Sequence, residues 1–180
     1  VMLDKYAYLD ILDIKFDKYG LSGNKNWGFI WHNVSKSTTF ENKVVFEIYC
    51  CQAALSSYSI LHGAKRGFAF DSNKFLIKAS KNLSKALRVS NIKFLLESDF
   101  KQLNQLIIKN NPNILFACSY RLDGVSIDDL MVLFKNVNEV FWDTNIQNIN
   151  TDDLKKNGFK LIKYIFKTGS KRVLVYLSKN

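Results

Sequence analysis

From Lys43 onward the chain alternates between short apolar runs and segments of helical spacing, and this alternation limits the possible architectures more than any other feature. "KVVFEIY" (43–49) is a compact β-branched run of the kind buried on both faces of a parallel sheet. "QAALSSYSILHG" (52–63) follows with helical spacing and a glycine stop. "KRGFAFD" (65–71), "NIKFLLES" (91–98), "NILFACSY" (113–120) and "EVFWDTN" (139–145) repeat the strand pattern. Between them, "SNKFLIKASKNLSKALRVS" (72–90), "DFKQLNQLIIKN" (99–110) and "SIDDLMVLFKNV" (126–137) repeat the helical one. In the first of these helices Ser72 reads as the cap, with Phe75, Ile77, Leu83 and Leu87 near one face. Repeated crossovers predict a parallel sheet with helices on both faces. The end differs. After the short capped helix "TDDLKKNG" (151–158), "FKLIKYIFK" (159–167) and "KRVLVYLSK" (171–179) alternate with period two about "TGS", the signature of an antiparallel hairpin.

Residues 1–42 are less regular and read as a helical addition in front of a domain spanning 43–180. A chain of 180 residues, 47% apolar, suffices for one domain with a substantial core and excludes a disordered chain. No apolar run approaches the roughly 18 residues of a membrane span, so no membrane partner is expected. "VMLDKYAYLD" lacks the basic-then-apolar order of a secretory signal. Three cysteines, two adjacent, without CxxC spacing, predict no zinc site and point to a reducing compartment, read as the cytoplasm. The net charge is +10, but only 4 of the 26 basic residues are arginine and the lysines run along the whole chain. A solvated lysine surface therefore competes with a polyanion-binding face.

Glu47 stands near the end of the first strand, "IYCCQAALS" follows it, Asp71 ends the second strand, and "LESDF" (96–100) follows the third. With the terminal hairpin, this order resembles the class I S-adenosylmethionine (SAM)-dependent methyltransferases from Val44 to the end. The resemblance implies a Rossmann-like α/β fold with a mostly parallel seven-stranded sheet, and SAM as cofactor. The family's first motif is an acidic residue and a glycine-rich turn, commonly acidic-I-G-C-N-x-G-x-x-S. This chain keeps Glu47, Ile48, Cys50 and Ser56 and carries Tyr49 and Ala53 where the motif has glycine. The resemblance places the cofactor's methionine half at Glu47, Tyr49, Cys51 and Ala53. It places the ribose at Asp71 and Ser72, and the adenine at Ser98, Asp99 and Phe100. Ser119, Tyr120 and Asp123, after the fourth strand, would face the transferred methyl group and the acceptor.

Other readings of these residues stay open. Asp71 can cap the next helix, Asp99 can be a helix N-cap, and Glu47, costly to bury without a partner, can pair with a lysine. His32, Tyr120 and Asp123 are the candidate catalytic groups, with His32 or Asp123 as general base. With the strand order that the resemblance implies, Cys50, Cys51 and Cys118 are expected at the ends of neighbouring strands. They read as pocket-wall filling, against a soft-metal or redox-sensitive site. The leading expectation is methyl transfer to a small-molecule acceptor. The alternatives are a tRNA methyltransferase, favoured by the charge, and a domain that has lost its cofactor and serves a protein partner as scaffold or regulator.

Overall fold

The computed structural model describes residues 27–50, 53–97, 99–166 and 170–180, the side chains of Trp27 and Tyr120 excepted. Cys51, Ser98, most of the hairpin turn and the side chain of Tyr120 thus lie outside the described residues. The chain divides after Thr38 into two compact units. Helix α1 (Trp27–Ser37) belongs to the first. Its polar side chains bond back to its own turns, Asn33 Nδ2 to the Phe29 carbonyl and Ser37 Oγ to the Asn33 carbonyl, both at 2.8 Å. His32 is exposed on this helix.

The second unit is built on seven strands: β1 (Val44–Ile48), β2 (Arg66–Asp71), β3 (Ile92–Leu96), β4 (Ile114–Ala117), β5 (Glu139–Asn145), β6 (Leu161–Phe166) and β7 (Arg172–Ser178). Their order is β3-β2-β1-β4-β5-β7-β6. β1 to β5 pair in parallel, while β7 runs antiparallel to both β5 and β6. The mostly parallel seven-stranded sheet with its C-terminal antiparallel hairpin is thus as expected. The helices are α2 (Ala54–Leu61), α3 (Lys74–Ala86), α4 (Phe100–Asn110), α5 (Ile127–Phe134) and α6 (Thr151–Lys156).

Strand alternation sorts the core onto two faces. Phe46 pairs in register with Phe68, and Ile48 with Phe70. All four join Leu103 and Ile107 of α4 and Leu130, Leu133 and Phe134 of α5 in the larger core. Ala69, on the other face, packs with Cys50, Ala53 and Ile77 of α3. Each large side chain removed from water this way contributes on the order of 2 kcal/mol. On the second face small residues keep the layers close: Ser57 Oγ lies 3.0 Å from Ser84 Oγ between α2 and α3. A Cβ added to Gly67 would come within 3.2 Å of Ile92 Cγ1.

Two local expectations need correction. Asn73, not Ser72, caps α3, its side chain accepting from the Phe75 amide at 2.9 Å. Asn73 occupies the position whose Oδ1 reaches an orphan amide of the first turn. Phe75 is 71% exposed and lies off the buried face, with Lys74 Nζ 5.5 Å from its ring centre. Ile77 and Leu83 are buried as the spacing requires.

Candidate functional site at the carboxyl ends of the central strands

The strand order reverses beside β1: the chain builds outward through β2 and β3, then returns to place β4 on the other side of β1. At such a switch point the loops leaving the carboxyl ends diverge and open a crevice. The loops after β1, β2, β3 and β4 carry nearly all the candidate residues.

The turn after β1 is the most constrained. Tyr49 has φ 49° and Ala53 φ 53°, both left-handed. These are the two positions where the resembling motif has glycine, so the turn keeps the conformation glycine would adopt freely. A left-handed L-residue costs roughly 1–2 kcal/mol. The turn is held from both ends, Ala53 N donating to the Cys50 carbonyl at 2.7 Å and Cys50 N to the Phe70 carbonyl at 2.9 Å.

Glu47 is 1% exposed and points to the α2 side of the sheet. Its Oε2 accepts from the Ser56 amide of α2 at 2.8 Å. Its Oε1 and the neighbouring Ser56 Oγ are buried without a partner. Burial pushes the Glu47 carboxyl up to about 7; the Ser56 amide pulls the other way, and Asp71 adds to the rise. The partner of this acid is therefore a helix amide, and among the described residues no lysine pairs with it.

Asp71 is completely buried and already engaged. Its Oδ1 accepts from Arg121 Nη1 at 3.0 Å and from the Asn73 amide at 2.9 Å, and its Oδ2 accepts from Arg121 Nη2. The Arg121 guanidinium lies over the Tyr49 ring, 4.8 Å from its centre. Tyr49 in turn faces Phe100 at 6.3 Å between ring centres. Asp99 caps α4, accepting from the Lys101 amide at 2.8 Å. Ser119 is buried and caps the 3₁₀ turn Tyr120–Gly124 that carries Arg121. Arg121 was absent from the sequence-based candidates. Only the scarcity of arginine in so lysine-rich a chain could have marked it.

On the β4–β5 side, Arg172 of β7 binds Asp123 Oδ2 through Nη1 at 2.6 Å and Asp143 Oδ1 through Nε at 3.1 Å. Asp123 is thus a fixed anion in an ion network. Beside it lies a pocket of about 220 Å³ lined by Leu122, Asp123, Trp142, Thr144 and Asn148 among others. A larger cleft, of about 620 Å³, opens at the opposite, amino-terminal ends of the strands between Val44, Lys65, Arg66 and Lys93, remote from these carboxylates. Cys50 and Cys118 are buried thiols, and Cys50 Sγ lies 3.8 Å from Ser80 Oγ. Cys118 Sγ donates to the Phe141 carbonyl at 3.4 Å, and burial, with Asp143 and Glu47 nearby, raises its pKa well above the usual thiol range. His32 belongs to the other unit.

No family model and no curated protein sequence matches the chain. Solved structures do. One is a Streptococcus mutans protein assigned as a SAM-dependent methyltransferase (15% identity, TM-score 0.61), matched over 84% of this chain and 48% of its own. The present chain thus spans about half the length of that relative. A second is M. capricolum TrmK in complex with S-adenosylhomocysteine (SAH), with 15% identity and TM-score 0.61 over 84% of this chain and 68% of that one. A third is a ribosomal protein L11 methylase from Lactobacillus delbrueckii subsp. bulgaricus, with 15% identity and TM-score 0.62 over 88% and 81%. The chain has the fold of the class I SAM-dependent methyltransferases.

The site fits SAM in its backbone and not in every side chain. The left-handed turn and the acids at the ends of β1 and β2 suit such a cofactor. The Asp71 carboxylate, which the resemblance assigns to the ribose, holds three donors of its own chain.

Proposed function

We propose that this chain is a SAM-dependent methyltransferase acting on a small-molecule acceptor. The observation that carries the reading is the turn after β1, left-handed at Tyr49 and Ala53 without a glycine to make that conformation easy. Backbone strain kept in a loop at the switch point of an α/β sheet is characteristic of ligand sites. In this reading Glu47, Tyr49, Cys51 and Ala53 border the methionine half, Asp71 and Ser72 the ribose, and Ser98, Asp99 and Phe100 the adenine. Ser119, Tyr120 and Asp123 stand on the acceptor side, where the 220 Å³ pocket suits a small molecule better than a macromolecular chain. SAM, when bound, supplies an electrophilic methyl group. The chain's own part is to orient the acceptor and exclude water. Asp123, pinned by Arg172, contributes a fixed negative charge more readily than a mobile base. Ribosomal protein is the acceptor of one structural neighbour, and the fold alone does not choose among acceptors.

A second reading is favoured by the Asp71–Arg121 pair: a methyltransferase-like domain that no longer binds cofactor and serves a protein partner. Calorimetric titration of the purified chain with SAM and with SAH separates the two. Saturable binding with a dissociation constant on the order of micromolar supports the enzyme. An absence of heat with either ligand at millimolar concentration removes it and leaves the scaffold.

A further inference from the structure

Resting on the reading of this end of the sheet as a nucleoside-cofactor site, we propose that Arg121 is a built-in competitor of the cofactor's ribose, which must leave Asp71 before a nucleoside binds. Asp71 is completely buried, and a carboxylate in that position needs hydrogen-bond donors. Arg121 supplies two side by side, Nη1 to Oδ1 and Nη2 to Oδ2. A ribose carries a similar pair in its adjacent hydroxyls. Ring and guanidinium are alternative partners for one acceptor edge, so the two states exclude each other and the carboxylate is satisfied in both.

The latch is built from every loop of the candidate site. Phe100 opens α4, Tyr49 begins the turn after β1, Asp71 closes β2, and Arg121 comes from the 3₁₀ turn after β4. The Phe100 and Tyr49 rings lie 6.3 Å apart, and the Tyr49 ring supports the flat face of the guanidinium at 4.8 Å. Tyr49, the residue that replaces glycine, thus acts as the platform that steadies the latch. Lysine could neither bond both oxygens in parallel nor lie flat on a ring. Only four of the chain's 26 basic residues are arginine, and one stands here. The arm can also move without unfolding a strand. Its side chain is 24% exposed. Its turn is anchored independently, by Ser119 Oγ to the Arg121 amide and by Arg172 to Asp123.

The test is calorimetric binding of adenosine and of SAH to the wild-type chain, Arg121→Ala and Tyr49→Gly. Adenosine is the critical probe, because it has the ribose and lacks the methionine half that Tyr49 itself could obstruct. Arg121→Ala strands a buried carboxylate and can fail to fold. Tyr49→Gly removes the platform while relieving a left-handed residue, so it keeps the question answerable. The expected result is adenosine binding at least about tenfold tighter in each folded variant than in wild type, because the competent fraction rises. Adding Asp71→Asn to Tyr49→Gly is expected to abolish that gain. Equal adenosine affinity in wild type and variants, with SAH still bound, overturns the latch and leaves the cofactor reading intact. A gain for SAH without one for adenosine also overturns it, since the obstruction then lies in the methionine half. No binding of either ligand by any variant overturns the latch and the cofactor reading together.

Discussion

Glu47→Gln tests the energetics of the site without any ligand. Glu47 is buried, with one oxygen on the Ser56 amide and the other without a partner, and its pKa rises from 4.5 to about 7. Below pH 4.5 both folded and unfolded chains hold the proton, and this group adds no pH dependence. Between pH 4.5 and 7 the unfolded chain releases it while the folded chain keeps it, so the wild type loses stability as pH rises through that window. Above pH 7 the loss is complete. A shift of this size, about 2.5 units, corresponds to about 3 kcal/mol. Glutamine keeps an acceptor for the Ser56 amide and cannot ionise. The variant should therefore lose none of this stability and exceed the wild type by about 3 kcal/mol at pH 8, with the advantage shrinking towards zero near pH 4.5. Urea unfolding of both proteins at intervals from pH 4.5 to 8.5 measures the difference directly. A difference that stays flat across the range would refute the argument, because it would mean that Glu47 titrates in place as it does in the unfolded chain.

Ala53→Gly should shift stability by less than about 1 kcal/mol, since relief of a left-handed alanine at φ 53° (roughly 1–2 kcal/mol) is offset by the loss of a buried methyl beside Ala69 and Ile77; a fall in urea stability well beyond about 1 kcal/mol would contradict the strain. Asp99→Ala should cost about 1 kcal/mol through the lost cap of α4, and, on the proposed function, should weaken adenosine binding as well; an unchanged unfolding midpoint would count against the capping role. Trp142→Ala should cost about 3–5 kcal/mol, as its buried ring stands edge-on to Phe134 at 5.7 Å, and thermal melting reads the loss.

The frame was legible because period two and period 3.6 are written along the chain itself. "EVFWDTN" coincides with β5 residue for residue. The acids were legible because they stand at strand ends: Asp71 and Asp99 occupy the positions expected, although Asp71 meets an arginine and Asp99 caps a helix. The turn was not, because tyrosine and alanine carry no signal for left-handed backbone; its conformation follows from the strands and helix that it joins. Phe75 misled for a related reason. Helical spacing alone put it on the inner face, but α3 begins at Lys74, so Phe75 falls in the first turn and is exposed. The Asp71–Arg121 pair joins residues 50 positions apart through the sheet order, which no local pattern records.

The sheet order also bears on how copies of this chain behave in concentrated solution. Its two end strands, β3 and β6, each expose a lysine near the middle, Lys93 and Lys163. When two molecules approach strand to strand, these cations meet before backbone pairing can begin, and their repulsion opposes fibre-like stacking. That protection is electrostatic. At about 1 M salt the screening length shrinks to roughly 3 Å, so salting should promote association edge to edge long before it disturbs the interior.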